Sequence, residues 1–189
     1  MPKLEFDEEK HLYTLDGRRL ISVTEALGLV DDRWKAEPYY LLRGKYVHKA
    51  TELYDLGELD ESTVDPMIHP YLDGYVKFRK DTAFESIHIE QPLYHPSYFY
   101  AGKPDRIGPL RDAHVIIDLK TGVKAKVDEL QGAAYWELCR VNNIPAKKVF
   151  DLYLNDDGTY KLEPIENPKR LLPTFLNVLG AYRWKENIT

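Results

Sequence analysis

Cysteine is nearly missing from the 189-residue chain, and Cys139 is the single example. One thiol excludes an intramolecular disulfide. It also excludes a four-thiolate zinc site or an iron–sulfur cluster held by one chain. Beside Leu138 and Val141 it reads as a small buried helical residue. Long apolar runs are missing too. No stretch approaches the roughly 20 residues that span a bilayer, and Met1-Pro2-Lys3-Leu4-Glu5 lacks the apolar core of a secretory signal. The resulting expectation is a cytoplasmic protein with no membrane partner. There is no Gly-x-x-x-x-Gly-Lys-Ser/Thr phosphate loop, so the signature of a nucleotide-driven motor is absent. Internal repeats and low-complexity linkers are absent as well. A cationic excess is also lacking, with 26 Lys and Arg against 31 Asp and Glu, for a formal net charge of −5. This argues against coating nucleic acid by bulk charge. It leaves room for a small cationic groove, because carboxylates that hold a divalent ion reverse their local sign when the ion binds.

What is present is a chain that can build a core. Hydrophobic residues make up 43% of it, and the length suits one domain. Residues 1–189 are read as a single unit: an N-terminal hairpin over 1–20, a core over 21–154, and a C-terminal strand and helix over 155–189. The 14 tyrosines suit burial with bonded hydroxyls, and exposed ones could stack on bases.

Leu4–Phe6 and Leu12–Leu15 alternate around an acidic turn, followed by Asp16-Gly17, and predict a small β-hairpin. Ser22-Val23-Thr24-Glu25 is a capping box that opens a short helix through Leu29. A second helix runs from Pro38 to Leu56, closed by Gly57. A third covers Pro70 to Lys80, with Tyr71, Gly74, Tyr75 and Phe78 on one stripe. Ser86–Tyr94, Tyr98–Ile107 and Ala113–Lys120 read as three strands with short, antiparallel connections. Val127–Val141 has helical spacing. Val149–Leu154 is a strand, Tyr160–Pro164 its antiparallel return, and Lys169–Lys185 a closing helix. Helices, three strands, a helix and a strand define an α/β fold with a mixed central sheet flanked by helices.

The chemistry concentrates in Gly102-Lys103-Pro104-Asp105-Arg106-Ile107-Gly108 and Val115-Ile116-Ile117-Asp118-Leu119-Lys120-Thr121-Gly122. Side chains alternate along a strand, so Asp118 and Lys120 point to one side and Leu119 to the other. A carboxylate that holds a divalent cation, beside an ammonium near water or phosphate oxygen, suits that spacing. Asp105 offers a second carboxylate from the neighbouring strand. Gly102, Gly108 and Gly122 are expected to keep the approach open for a bulky phosphodiester.

These residues resemble the core of the PD-(D/E)XK nuclease superfamily, specifically its RecB-like branch. Asp105 matches the first carboxylate, within Gly-Lys-Pro-Asp. Asp118-Leu119-Lys120-Thr121-Gly122 matches the Asp-x-Lys-Thr-Gly form of the second. Gln131-Gly132-Ala133-Ala134-Tyr135 matches the Gln-x-x-x-Tyr helix, and Arg43-Gly44-Lys45-Tyr46-Val47-His48 matches the upstream helix that carries a metal-binding histidine. Glu90 resembles an acidic residue on the first core strand. The resemblance covers roughly Ile21 to Leu154 and implies a restriction-endonuclease-like αβββαβ core. It implies a Mg²⁺- or Mn²⁺-dependent deoxyribonuclease, an exonuclease by its branch, hydrolysing phosphodiesters with a metal-activated water. One or two ions would be held by His48, Asp105, Asp118 and the Leu119 carbonyl, with no iron–sulfur cluster. Lys120 would position water or offset phosphate charge. Gln131 and Tyr135, one helical turn apart, would orient the strand. Glu52, one turn after His48, and Glu90 are supporting candidates.

Arg43, Lys45, Lys49, Lys103, Arg106 and Lys124, with Lys126, are candidates for a phosphate-binding track. His11, His69, His88, His95 and His114 receive no role. The implied partner is DNA, and rings, dimers or other recombination and replication proteins are further partners. The implied setting is a small stand-alone nuclease of phage or mobile-element kind, acting in the host cytoplasm. Two rivals are a catalytically inactive nucleic-acid-binding module on the same fold and a metal-dependent phosphoesterase for small substrates. Divalent-ion-dependent degradation of DNA separates the first, and the shape of the cavity bears on the second. Alanine at Asp118 or Lys120 is expected to abolish cleavage while leaving the fold intact.

Overall fold

The structure, a computed structural model, describes residues 2–31 and 37–187. At the N-terminus, Leu4–Asp7 (β1) pairs antiparallel with Leu12–Leu15 (β2), which pairs in turn with Arg18–Ser22 (β3). Asp16 and Gly17 join the last two at φ 50° and 79°, the backbone a tight hairpin turn requires. The expected hairpin is therefore the start of a three-stranded meander. Its third strand is hard to read because the adjacent Leu20 and Ile21 are both buried, which hides the alternation. Ser22 then caps Val23–Leu27 (α1): its Oγ accepts the Glu25 amide at 3.0 Å, and the Glu25 carboxylate accepts the Ser22 amide at 3.2 Å.

Pro38–Leu56 (α2) opens on proline and closes on Gly57 at φ 71°. His69–Thr82 (α3) buries Tyr71, Gly74, Tyr75 and Phe78 on one stripe, as the spacing predicts. Ala113–Lys120 (β8) and Lys148–Leu154 (β9) pair in parallel, joined through the helix Asp128–Val141 (α4). Tyr160–Pro164 (β10) returns antiparallel on β9, and Pro168–Glu186 (α5) closes the described chain. No helix among the described residues is long and apolar enough to cross a membrane.

Two of the three long strands expected in the middle of the chain are broken. Residues 86–94 divide into His88–Ile89 (β4) and Leu93–Tyr94 (β5), and residues 98–107 into Tyr100–Gly102 (β6) and a strand Arg106–Leu110 (β7). The halves belong to different sheets, ordered β1-β2-β3-β6-β5 and β10-β9-β8-β7-β4. Pro92 and Pro104 fall in the gaps, and proline offers no ladder N–H. Glu90 turns the first chain at φ 49°, and its amide donates to the Asp105 carbonyl at 3.0 Å. Both chains thus change sheets at one level, which sets Glu90 beside Asp105.

Alternation along β8 separates two cores. Ile116 packs with Ala134, Leu138 and Phe175 under α1, α4 and α5. Val115, Ile117 and Leu119 pack with Tyr75 and Phe78 under α2 and α3. Asp118 and Lys120 share the side of Ile116. The glycines serve packing more than access. A Cβ on Gly102 would lie 2.8 Å from the Tyr135 ring, and one on Gly108 would lie 1.8 Å from the Glu85 carbonyl oxygen; of the three glycines expected at the approach, Gly122 alone has open space around it. A backbone carbonyl cannot swing away as a side chain can. Gly108→Ala is therefore expected to cost about 3 kcal/mol and to lower the melting temperature by about 6–12 °C, measurable by calorimetry.

Candidate active site

The break between the sheets opens a cavity of about 770 Å³. His48 from α2, Glu90, Asp105, Asp118, Lys120 and Tyr135 all line it. His48 Nδ1 lies 3.3 Å from Asp105 Oδ1 and 3.8 Å from Glu90 Oε1. The three residues offer ligand atoms that all lie within 4.8 Å of one another. Asp105 is fixed further by the Leu119 amide, which donates to its Oδ2 at 2.7 Å. One imidazole and two carboxylates in that space fit Mg²⁺ or Mn²⁺ by donor type.

The electrostatics agree with a cation at this point. Burial alone would lower the His48 pKa, but the Asp105 and Glu90 carboxylates outweigh it and push it up to about 10. Asp105 moves the other way. Burial would raise it, yet the His48 charge, the Arg106 guanidinium and the Leu119 amide together hold it well below the usual carboxylate range. In the metal-free protein a protonated imidazole therefore balances the carboxylates.

Asp118 stands outside this trio. Its carboxylate is turned onto the Lys120 ammonium, which also donates to Gln131 Oε1 at 2.7 Å and lies 3.6 Å from Asp128 Oδ1. Gln131 Nε2 in turn donates to the Tyr135 hydroxyl at 3.2 Å. Burial, reinforced by Asp105 and Asp151, raises Asp118 to about 8 even against Lys120. Burial also raises Asp151, its neighbour across the parallel ladder, to about 6. Lys120 shifts upward despite its burial, because Asp118, Asp128 and Asp151 surround it.

The structure thus brings His48, Asp105, Asp118, Lys120, Gln131 and Tyr135 to one cavity, with Glu90 closer to the ligand group than Asp118. Glu52 lines the same cavity but pairs with Lys49, at 3.0 Å, and not with His48. The expected cationic track divides. Lys45 and Lys49 are exposed at the cavity, and Lys103 lines it while pairing with Glu90 at 2.8 Å. Arg43 donates to the Thr121 carbonyl at 2.6 Å and lies over the Tyr40 and Tyr71 rings. Lys124 and Lys126 lie outside the cavity lining and pair with Glu163 and Glu129.

Arg106 requires a correction. Its side chain is 0% exposed, so it cannot reach a phosphate backbone. The reason is alternation: on an extended chain Arg106 points away from Asp105, into the core beneath α2 and α3. Asp55, Asp128 and Asp151 were missed as neighbours of the site. Asp151 had a signal, an acid inside the apolar run Val149–Leu154. Asp128 reads in the sequence as an ordinary acid in a first helical turn. Asp55 has no local signal.

No family profile matches the chain, and no curated protein matches it. Among solved structures, a protein from Eubacterium rectale provisionally described as an exonuclease aligns with 90% of this chain and 82% of its own, at a TM-score of 0.58 and 14% identity. That likeness shows a shared fold, a mixed α/β sheet flanked by helices. An alkaline exonuclease from Laribacter hongkongensis aligns with 88% of this chain and 87% of its own, at a TM-score of 0.43 and 11% identity. The same enzyme in complex with dAMP aligns equally at 13% identity.

Proposed function

We propose that this protein is a divalent-metal-dependent deoxyribonuclease of the PD-(D/E)XK superfamily, acting as an exonuclease, with the whole chain serving as one nuclease unit. The observation that carries the reading is the convergence of His48, Glu90 and Asp105 beside the Asp118–Lys120 pair. The nuclease-like fold supports it. The choice of DNA rests on the resemblance of Asp118-Leu119-Lys120-Thr121-Gly122 to the RecB-like branch.

In this reading His48, Glu90 and Asp105 would hold Mg²⁺ or Mn²⁺, with Asp118 and Leu119 lining the same cavity, and the ion would acidify a water and offset phosphate charge. Lys120 presents a fixed ammonium where negative charge grows on the phosphate oxygens. Gln131 and Tyr135 hold that ammonium and the scissile strand in place. Lys45, Lys49 and Lys103 meet flanking phosphates. A polymer fits better than a small ester. The cavity shares His11, Ser22 and Thr24 with a second of about 530 Å³, and Lys120 and Gln131 with a third of about 230 Å³. The three hollows therefore adjoin along one stretch of surface.

End-labelled linear duplex and a closed circle, each with Mg²⁺, with Mn²⁺ and with a chelator, test the reading. Release of labelled nucleotide from the linear form alone, stopped by the chelator, is the expected result. Cleavage of the circle would make the enzyme an endonuclease. Cleavage untouched by chelation would remove the metal.

A further inference from the structure

We propose that Arg106 and Asp55 form a buried brace that sets the spacing of His48, Glu90 and Asp105, and through it the site's affinity for a divalent cation. The inference rests on the metal-centre reading above, and it gives a positioning role to two residues that touch neither cation nor substrate.

Both Nη atoms of Arg106 face ligand-bearing segments. Nη1 donates to the Asp105 carbonyl at 2.7 Å and lies 3.4 Å from Glu90 Oε1. Nη2 donates to Thr51 Oγ1 at 3.1 Å, and that hydroxyl donates onward to the His48 carbonyl at 2.9 Å. His48, Glu90 and Asp105 are therefore each one or two hydrogen bonds from a single guanidinium. The opposite edge is anchored, with Nε donating to Asp55 Oδ2 at 2.6 Å. Asp55, whose side chain is fully buried, also accepts the Tyr75 hydroxyl at 2.5 Å, the Ser86 hydroxyl at 2.9 Å and the Arg79 guanidinium.

Any buried guanidinium must satisfy its five N–H donors; what bears on the site is where these donors go. Here the rigid planar fork reaches three segments that are far apart in sequence: α2, the Glu90 kink and the start of β7. A lysine has the charge but not the fork. Groups that orient metal ligands in this way typically govern metal affinity by 10–100-fold.

The test is Mn²⁺ binding to the full-length protein, read by electron paramagnetic resonance of free and bound Mn²⁺, with circular dichroism and melting curves on the same samples. Arg106→Lys, Thr51→Val and the charge-balanced double variant Asp55→Asn/Arg106→Gln are compared with wild type. Arg106→Lys and the double variant are expected to bind Mn²⁺ about 10–100-fold more weakly, with an altered hyperfine pattern. Thr51→Val, which cuts only the link to His48, is expected to lose about threefold to tenfold by the same effect. Saturating Mn²⁺ is expected to restore most of the cleavage rate in all three, which loss of a catalytic group would not permit. A folded double variant with wild-type Mn²⁺ affinity would overturn the brace. If that variant and Arg106→Lys fail to fold, unchanged affinity in Thr51→Val overturns it. A wild-type protein that binds no Mn²⁺ would instead remove the metal-centre reading, and the brace with it.

Discussion

Lys120→Met is expected to lose at least about 100–1,000-fold in cleavage rate, the cost typical of removing one group that meets developing oxyanion charge. It is also expected to lose stability, contrary to the expectation from sequence that the fold stays intact. The ammonium sits among Asp118, Asp128 and Asp151, all of them buried. Taking away the cation of a buried cluster leaves carboxylates uncompensated, at a cost of about 3 kcal/mol, or about 6–12 °C in melting temperature. The deficit should depend on pH. Asp118 and Asp151 titrate at about 8 and about 6 in the folded protein, so at pH 5 both already carry protons and need the ammonium least. At pH 9 both are ionised and need it most. The double variant Asp118→Asn/Lys120→Met should recover much of the melting temperature and none of the cleavage. Wild-type cleavage by a folded Lys120→Met protein would remove Lys120 from the chemistry.

The parts of the fold legible in the sequence are those decided locally. Pro38 and Gly57 bound α2 because one residue lacks an N–H and the other accepts a left-handed φ. Ser22 and Glu25 cap α1 by direct contact three residues apart. The apolar run before Asp118 makes β8, and a period of two places Asp118 and Lys120 on one face. The same period carried a warning about Arg106, since neighbours on a strand cannot both face one cavity. The sheet break was harder to read. Pro92 and Pro104 hint at two interruptions, but only the pairing of β4 with β7 and of β5 with β6 shows that they coincide. That coincidence is what brings Glu90 to Asp105. Asp55 was illegible for a different reason: it meets Arg106 across 51 residues of chain, and nothing in its helical surroundings distinguishes it from a surface acid.

Mn²⁺ binding is expected to strengthen steeply with pH and to vanish in Asp105→Asn. His48 has a folded pKa of about 10 against an ordinary 6.5. A raised base stabilises the fold fully below the lower value, and the contribution is lost as pH climbs to the higher one. Asp118, raised from 3.8 to about 8, acts in the same direction, losing its contribution between those values. The metal-free protein should therefore grow less stable from about pH 4, first through Asp118 and above about pH 6.5 through His48 as well, up to about pH 10, while Asp105, which is lowered, matters only in acid. An imidazole must shed its proton to ligate, so each bound ion displaces the His48 proton. Affinity should then rise by about tenfold per pH unit between pH 7 and 9 for one proton released, and the added thermal stability from saturating Mn²⁺ should rise with it. Calorimetric titration in two buffers of different ionisation enthalpy counts that proton directly. In Asp105→Asn the first ligand is gone, and with it the main charge that holds His48 protonated, so both the binding and the proton release should disappear. An affinity that stays flat from pH 7 to 9 would take His48 out of the ligand set and leave the two carboxylates, with Asp118 swung from Lys120, as the alternative cage.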